Sequence, residues 1–197
     1  KNDSKIKGIS INNNFVIAGY SQTQAIRSAL ENFKASGKFV YSYAEVLTQK
    51  DYYLASVSDS LFLNKVGTMD FRGLSSEVLF YKDLQEKTGL KMEVIRHGKY
   101  KSAVEPYLAN EMSDANRTQI KELLHSLWTS MVSEIAVNRK ISSENLNIIA
   151  DTLGGRTPLL AKQSGLIDDV LFFDEYEAKL KNATKTVQSD ALNYISL

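Results

Sequence analysis

Apolar positions along the chain change period several times, and each change marks an element. Lys5-Ile6-Lys7-Gly8-Ile9-Ser10-Ile11 alternates with the period of two that a half-buried strand requires. From Gln22 to Ser36 the spacing becomes helical, with Ile26, Ala29, Leu30 and Phe33 on one face and Gly37 where a helix-ending glycine belongs. Lys38 to Ala44 returns to the strand pattern, and Ser60-Leu61-Phe62-Leu63 gives a short apolar strand. Ser75 or Ser76 caps a predicted helix that passes Val78, Leu79 and Leu84, reaches Thr88 and closes at Gly89. Met92-Glu93-Val94-Ile95 reads as the next strand.

The longest predicted helix starts at Ser113. Asp114 suits its N-terminus, and Ile120, Leu123, Leu124, Leu127, Met131 and Ile135 form its apolar stripe. After Arg139 the pattern weakens. Thr157-Pro158 starts a short helix ended by Gly165, ahead of Leu166-Ile167-Asp168-Asp169-Val170. From Asn182 the chain is polar enough to be partly disordered. Strands separated by helices, joined by short glycine-marked connections, predict an α/β fold whose sheet is covered by helices.

Composition narrows the functions open to such a fold. At 197 residues, with 43% hydrophobic and 24% charged positions, the chain suits one ordinary domain with a real core. A net charge of +1 gives no reason to expect nucleic acid as a partner. No apolar run is long enough to span a bilayer. The chain opens Lys1-Asn2-Asp3 without Met, which suggests an excised fragment or a processed product. With no cysteine, thiol catalysis, disulfides and cysteine-rich zinc sites all drop out. Two histidines, His97 and His125, do not make a multi-histidine metal site, and no cofactor or metal is expected.

The segment Arg96 to Tyr107 is where chemistry concentrates. It follows a predicted strand, and it crowds Arg96, Lys99 and Lys101, with His97 as a further potential cation. Neighbouring cations and burial lower a lysine pKa, and that is how an ammonium becomes a usable base near neutrality. Most lysines, however, are solvated surface charges, and local pattern alone leaves Lys101 open between the two roles. Ser102 is adjacent to Lys101, and adjacent side chains diverge, which argues against it as the nucleophile. Glu105 and Pro106 are expected to shape the loop, His97 and His125 to be solvated, and Trp128 and Met131 to pack or make oligomer contacts.

Tyr100-Lys101-Ser102-Ala103-Val104-Glu105-Pro106-Tyr107 resembles the catalytic-lysine segment of the signal peptide peptidase A (protease IV) family in its long Gram-negative form. Tyr52-Tyr53-Leu54-Ala55-Ser56, Met69-Asp70-Phe71-Arg72-Gly73 and Asn138-Arg139 resemble the N-terminal half of that family, so the likeness runs from about Gly19 to Leu180. It implies a crotonase-like (ClpP/crotonase) domain of repeated ββα/βα units over 1–185. A helical extension would start at about 113, and 186–197 would form a polar tail or linker. It implies that Lys101 is the general base of a Ser/Lys dyad whose serine lies in a second, tandem domain of the same protein. Substrates would be cleaved signal peptides or other peptides, and the enzyme would sit at the inner membrane, facing the periplasm; the long apolar-striped helix makes a homo-oligomer the expected assembly. Against the second domain's Ser-Gly-Gly-Tyr-like stretch this chain sets Gln49-Lys50-Asp51-Tyr52, or Thr48 if the alignment shifts by one. Gln49 has no acidic proton to yield, so the pocket of this repeat reads as degenerate. Two other readings compete: a catalytically silent assembly module, and an acyl-CoA enzyme of the wider crotonase group. The second needs a glycine-built oxyanion pocket, which Gln49-Lys50-Asp51 does not supply.

Overall fold

The computed structural model describes residues 1–12, 15–95 and 102–195. They form two compact units: Lys1–Gly73 with Met131–Leu197, and Leu74–Ser130.

The first unit is built on a sheet of strands β1 (Gly8–Ile11), β2 (Phe39–Leu47), β3 (Ser60–Met69) and β4 (Asp169–Val170), ordered β1-β2-β3-β4. Every pairing is parallel, with Gly8 opposite Phe39, Tyr41 opposite Ser60 and Phe62 opposite Asp169. Parallel neighbours need crossovers, and helices α1 (Tyr20–Lys34) and α2 (Gln49–Ala55) supply the first two. The period of two in β2 sorts its side chains between two cores. Val40 packs with Leu30, Leu54 and Val57 on the side of α1 and α2. Phe39, Tyr41 and Tyr43 pack with Phe62, Tyr176 and Leu180 on the side of the C-terminal helix α8 (Phe173–Thr184). A strand buried on both faces is the expected mark of a helix-covered parallel sheet. Between Ala44 and Val46 the β2–β3 register shifts, and Gly67 lies in the resulting bulge, where a Cβ would come within 2.5 Å of the Glu45 carbonyl.

The second unit holds α3 (Lys82–Thr88), α4 (Glu105–Leu108) and the first part of α5 (Asp114–Arg139). After α5 the first unit continues with α6 (Ser143–Asp151) and α7 (Pro158–Gln163). Thr157 caps α7, Pro158 opens it, and Gly165 follows with φ +74°, as its sequence predicts.

Several expectations need correction. The helix expected from Ser75 or Ser76 begins at Lys82, because the Tyr81 N–H bonds the Pro106 carbonyl at 2.7 Å and sets the helix start there. Met92-Glu93-Val94-Ile95 forms no strand: no described strand lies in its unit to pair with, and the Met92 N–H bonds the Gln85 side chain instead. In α5 only the later part of the predicted stripe is buried, at Met131 and Ile135 together with Val132, while Leu123 and Leu127 are exposed. Beyond Arg139 the weak pattern hides α6, capped by Ser142 with Leu146 and Ala150 buried. Helix α8 runs past Asn182 to Thr184, held by buried Tyr176 and Leu180, and Leu192 packs onto the same cluster.

The predicted face of α1 is also different. Ile26 is 44% exposed, and the buried residues are Thr23, Arg27 and Leu30. The Arg27 side chain is 1% exposed and its guanidinium lies 4.4 Å from the centre of the Tyr53 ring. Nη1 donates to the Tyr53 carbonyl and, at 2.8 Å, to the Ser56 hydroxyl; Nη2 donates to Asn138 Oδ1; Nε pairs with Glu134 at 3.3 Å. Glu134 also accepts the Tyr53 hydroxyl at 2.6 Å. Burial lowers the Arg27 pKa, and the facing Tyr53 and Glu134 act in the opposite direction. One cation thus ties α1, α2 and the end of α5 together. Arg27→Ala is expected to lower the unfolding free energy by about 3–5 kcal/mol, because it strands the groups that face it. The midpoint and slope of urea denaturation measure this.

Candidate active site

Lys101 lies in the segment 96–101, outside the described residues, together with Arg96, His97, Lys99 and Tyr100. The structure shows what holds the chain just after it. A turn at Ser102–Glu105, closed by the Glu105 N–H on the Ser102 carbonyl at 3.0 Å, leads into α4. Pro106 falls in the first turn of α4, where no backbone donor is needed. Glu105 is 5% exposed and its carboxylate accepts from Asn116 Nδ2 at 2.7 Å. Gln85 of α3 donates to the Tyr107 carbonyl at 2.9 Å, and the Tyr81 and Tyr107 rings stack with centroids 5.7 Å apart. Glu105 and Pro106 therefore fix the chain where it enters α4. Asn116→Ala should remove one donor from the buried Glu105 carboxylate, at a local cost of about 1–3 kcal/mol. Faster hydrogen exchange at the Tyr107 and Ala109 amides, with α7 unchanged, is the expected result.

The stretch aligned with a nucleophile lies in the first unit, at the start of α2. Thr48 caps the helix, and its hydroxyl is bound to the Asp51 carboxylate. Asp51 also accepts the Val16 N–H at 2.6 Å, and Lys50 donates to the Ala18 carbonyl at 2.8 Å. These two side chains hold the segment before α1.

Gln49 is turned the other way. Its Oε1 accepts the N–H groups of both Arg72 (3.0 Å) and Gly73 (2.9 Å), and its Nε2 donates to the Gly73 carbonyl at 2.8 Å. Gly73 has φ +95°, a conformation that requires glycine. Burial raises the pKa of the nearby Tyr20 hydroxyl, and Gln49 acts in the opposite direction.

Behind this site the Tyr52 ring is fully buried against Phe71, and its hydroxyl has no hydrogen-bond partner among the described residues. Burial raises the pKa of Tyr52 far above that of a free tyrosine, and burial pushes Tyr176 up to about 12. The end of α5 is fastened nearby: Arg139 makes two bonds to the Asp168 carboxylate, at 2.8 and 3.2 Å, and two to the Gly165 carbonyl, at 3.0 and 3.3 Å. Asp168 in turn accepts the Leu61 N–H at 2.7 Å, so it joins β3 to the end of α5.

Sequence reasoning passed over Arg27, Tyr53 and Glu134. An arginine on an amphipathic helix reads as a surface charge, and nothing local to α1 marks it as buried.

The raised tyrosines fix a pH response. Above pH ~10 the unfolded chain loses tyrosine protons that the folded chain keeps, so the unfolded state binds fewer protons and stability falls as pH rises. The urea midpoint should be flat from pH 7 to 9 and fall above pH ~10, approaching about 1.4 kcal/mol per pH unit for each buried tyrosine. Tyr176→Phe should shallow that fall.

Residues 32–188 match the sequence profile described as Peptidase family S49. The chain belongs to that family. It is 35% identical to Protease 4 of Haemophilus influenzae over 91% of its length, and 35% identical to Protease 4 of Salmonella typhi over 85%. It is 30% identical to the chloroplastic serine protease SPPA of Arabidopsis thaliana over 91%. These relatives agree with the resemblance to signal peptide peptidase A seen at Tyr100 to Tyr107. The chain spans less than a third of their length: 31%, 28% and 26% respectively.

Proposed function

We propose that this chain is the base-supplying repeat of a Ser/Lys-dyad protease, with Lys101 as the base and the nucleophilic serine in a second domain of the longer protein. The match of Tyr100 to Tyr107 with the family's lysine segment carries this reading. The Gln49 geometry supports the other half of it: a carboxamide stands where a nucleophile would be needed, and it is fully engaged in hydrogen bonds. In this reading the fold is crotonase-like, the substrates are cleaved signal peptides, and the enzyme works as a membrane-associated homo-oligomer facing the periplasm. The exposed Leu123 and Leu127 on α5 support a subunit contact.

The chemistry divides a triad's work between two groups. The neutral Lys101 amine takes the serine proton as the hydroxyl attacks the scissile carbonyl, and returns it to the leaving amine. A solvated lysine, with pKa about 10.4, is almost wholly protonated at neutral pH. Bringing it to about 7–8 takes a differential of about 3–5 kcal/mol. Neighbouring cations contribute, but screening limits them, so closure of the site by the second domain supplies most of the shift. Lys101 should therefore titrate near its ordinary value in this chain and well below it in the complete enzyme, as read by NMR of methylated lysines against pH.

In the complete protein, Lys101→Ala should cut kcat/KM by at least about a thousandfold with folding intact, and Lys99→Ala should be milder. Activity of Lys101→Ala equal to the parent would replace this reading with that of a silent assembly module. The chain by itself should neither turn over a signal-peptide-like substrate nor be labelled by a serine-directed probe.

A further inference from the structure

The bonds around Gln49 describe a site as well as a side chain. The Arg72–Gly73 corner presents two N–H donors and one carbonyl acceptor to the same small region, and the Gln49 carboxamide satisfies all three at 2.8–3.0 Å. With Gly73 the exchange is mutual: its N–H goes to Oε1 and its carbonyl receives Nε2. That is the bonding with which a strand residue exchanges both its backbone groups with a partner across an antiparallel ladder. The backbone here is held from behind by buried Phe71, whose ring meets that of Tyr52 at 5.4 Å. Gly73 itself is half-buried with nothing within 4 Å of where a Cβ would stand. Among the described residues, the corner is thus packed on one side and open on the other.

We infer that the Arg72–Gly73 corner is an amide-binding site, formed by the backbone and kept filled by the chain's own Gln49 carboxamide. Its complement is a group that accepts two hydrogen bonds and donates one: a primary amide, or the N–H and C=O of one residue in an extended peptide. A carboxylate fits less well, since it would satisfy both donors but set its second oxygen against the Gly73 carbonyl. Retaining the plug keeps peptides out of this corner, and shortening it should open the site. The inference deepens the reading of this repeat's pocket as degenerate, but rests on bond geometry alone. Its test reads amide resonances of this chain and no proteolysis, so either idea can fail without the other.

The test uses 15N-labelled chain carrying Gln49→Ala, titrated with acetamide, with an N-acetylated alanine N-methylamide as peptide, and with acetate at matched ionic strength. Saturable shifts at the Arg72 and Gly73 amides are expected with acetamide or the peptide, weaker ones with acetate, and none in the parent chain. The stronger of the two amide ligands identifies which source the corner prefers. Shifts that are absent or linear with both amides would overturn the inference, and so would acetate matching or exceeding them, since the corner would then read charge. Should Gln49→Ala fail to fold, hydrogen exchange in the parent decides. Both corner amides must be strongly protected beside the exposed Arg72 side chain, and unprotected amides would overturn the site.

Discussion

A guanidinium taken out of water sets the terms for the first unit. Arg27 can be buried only if each face of its fork finds an acceptor, and those acceptors come from α2, from the turn after it and from the end of α5. The positions of three helices around the sheet are therefore tied to one side chain's valence. Apolar contacts such as Leu30 against Val40 and Val57 supply burial, but they would tolerate a small rotation of α1 about its axis. The directional bonds of Arg27 do not, and they explain why Ile26 faces outward although the apolar count favours turning it in.

The same helix α2 that receives Arg27 at its C-terminal end carries Gln49 at its start. Fixing one end of a seven-residue helix fixes the other, so the Gln49 carboxamide reaches the Arg72–Gly73 corner without the freedom of a surface glutamine. In the second unit, Glu105 and Asn116 do comparable work for the chain leaving the lysine segment. In both places a buried polar contact, and not an apolar cluster, orients the backbone.

Legibility in the sequence followed the range of the determining forces. Local signals were read correctly: Gly37 after α1, Thr157 with Pro158 at α7, and Asp114 at the start of α5. The α/β class with a helix-covered sheet followed from alternation and spacing. What depended on partners distant in the chain was not legible. Met92 to Ile95 has strand composition but, among the described residues, no strand in its unit to pair with, and a strand without a partner has nowhere to send its hydrogen bonds. Arg27 looked solvated because its acceptors lie 26 to 111 residues away. Helix α8 did leave a trace, Tyr176 and Leu180 one turn apart with Glu175 bonding the Phe172 N–H, but a polar surround masked it.

The sheet's final strand also says something about how this chain must be made. Leu61 of β3 is joined to Asp168, beside β4, across 107 residues. At synthesis rates of about 5–20 residues per second, the outer edge of β3 emerges roughly 5–20 s before the strand that will cover it. During that interval its N–H and C=O row is open to any passing strand, the condition that leads nascent β proteins to aggregate. When β4 arrives it is only two residues long, and its pairing covers that edge at Phe62 and Leu63. Next to that pairing the β2–β3 register shift leaves Lys65 and Val66 exposed in a bulge, a shape that spoils the flat approach an incoming strand needs.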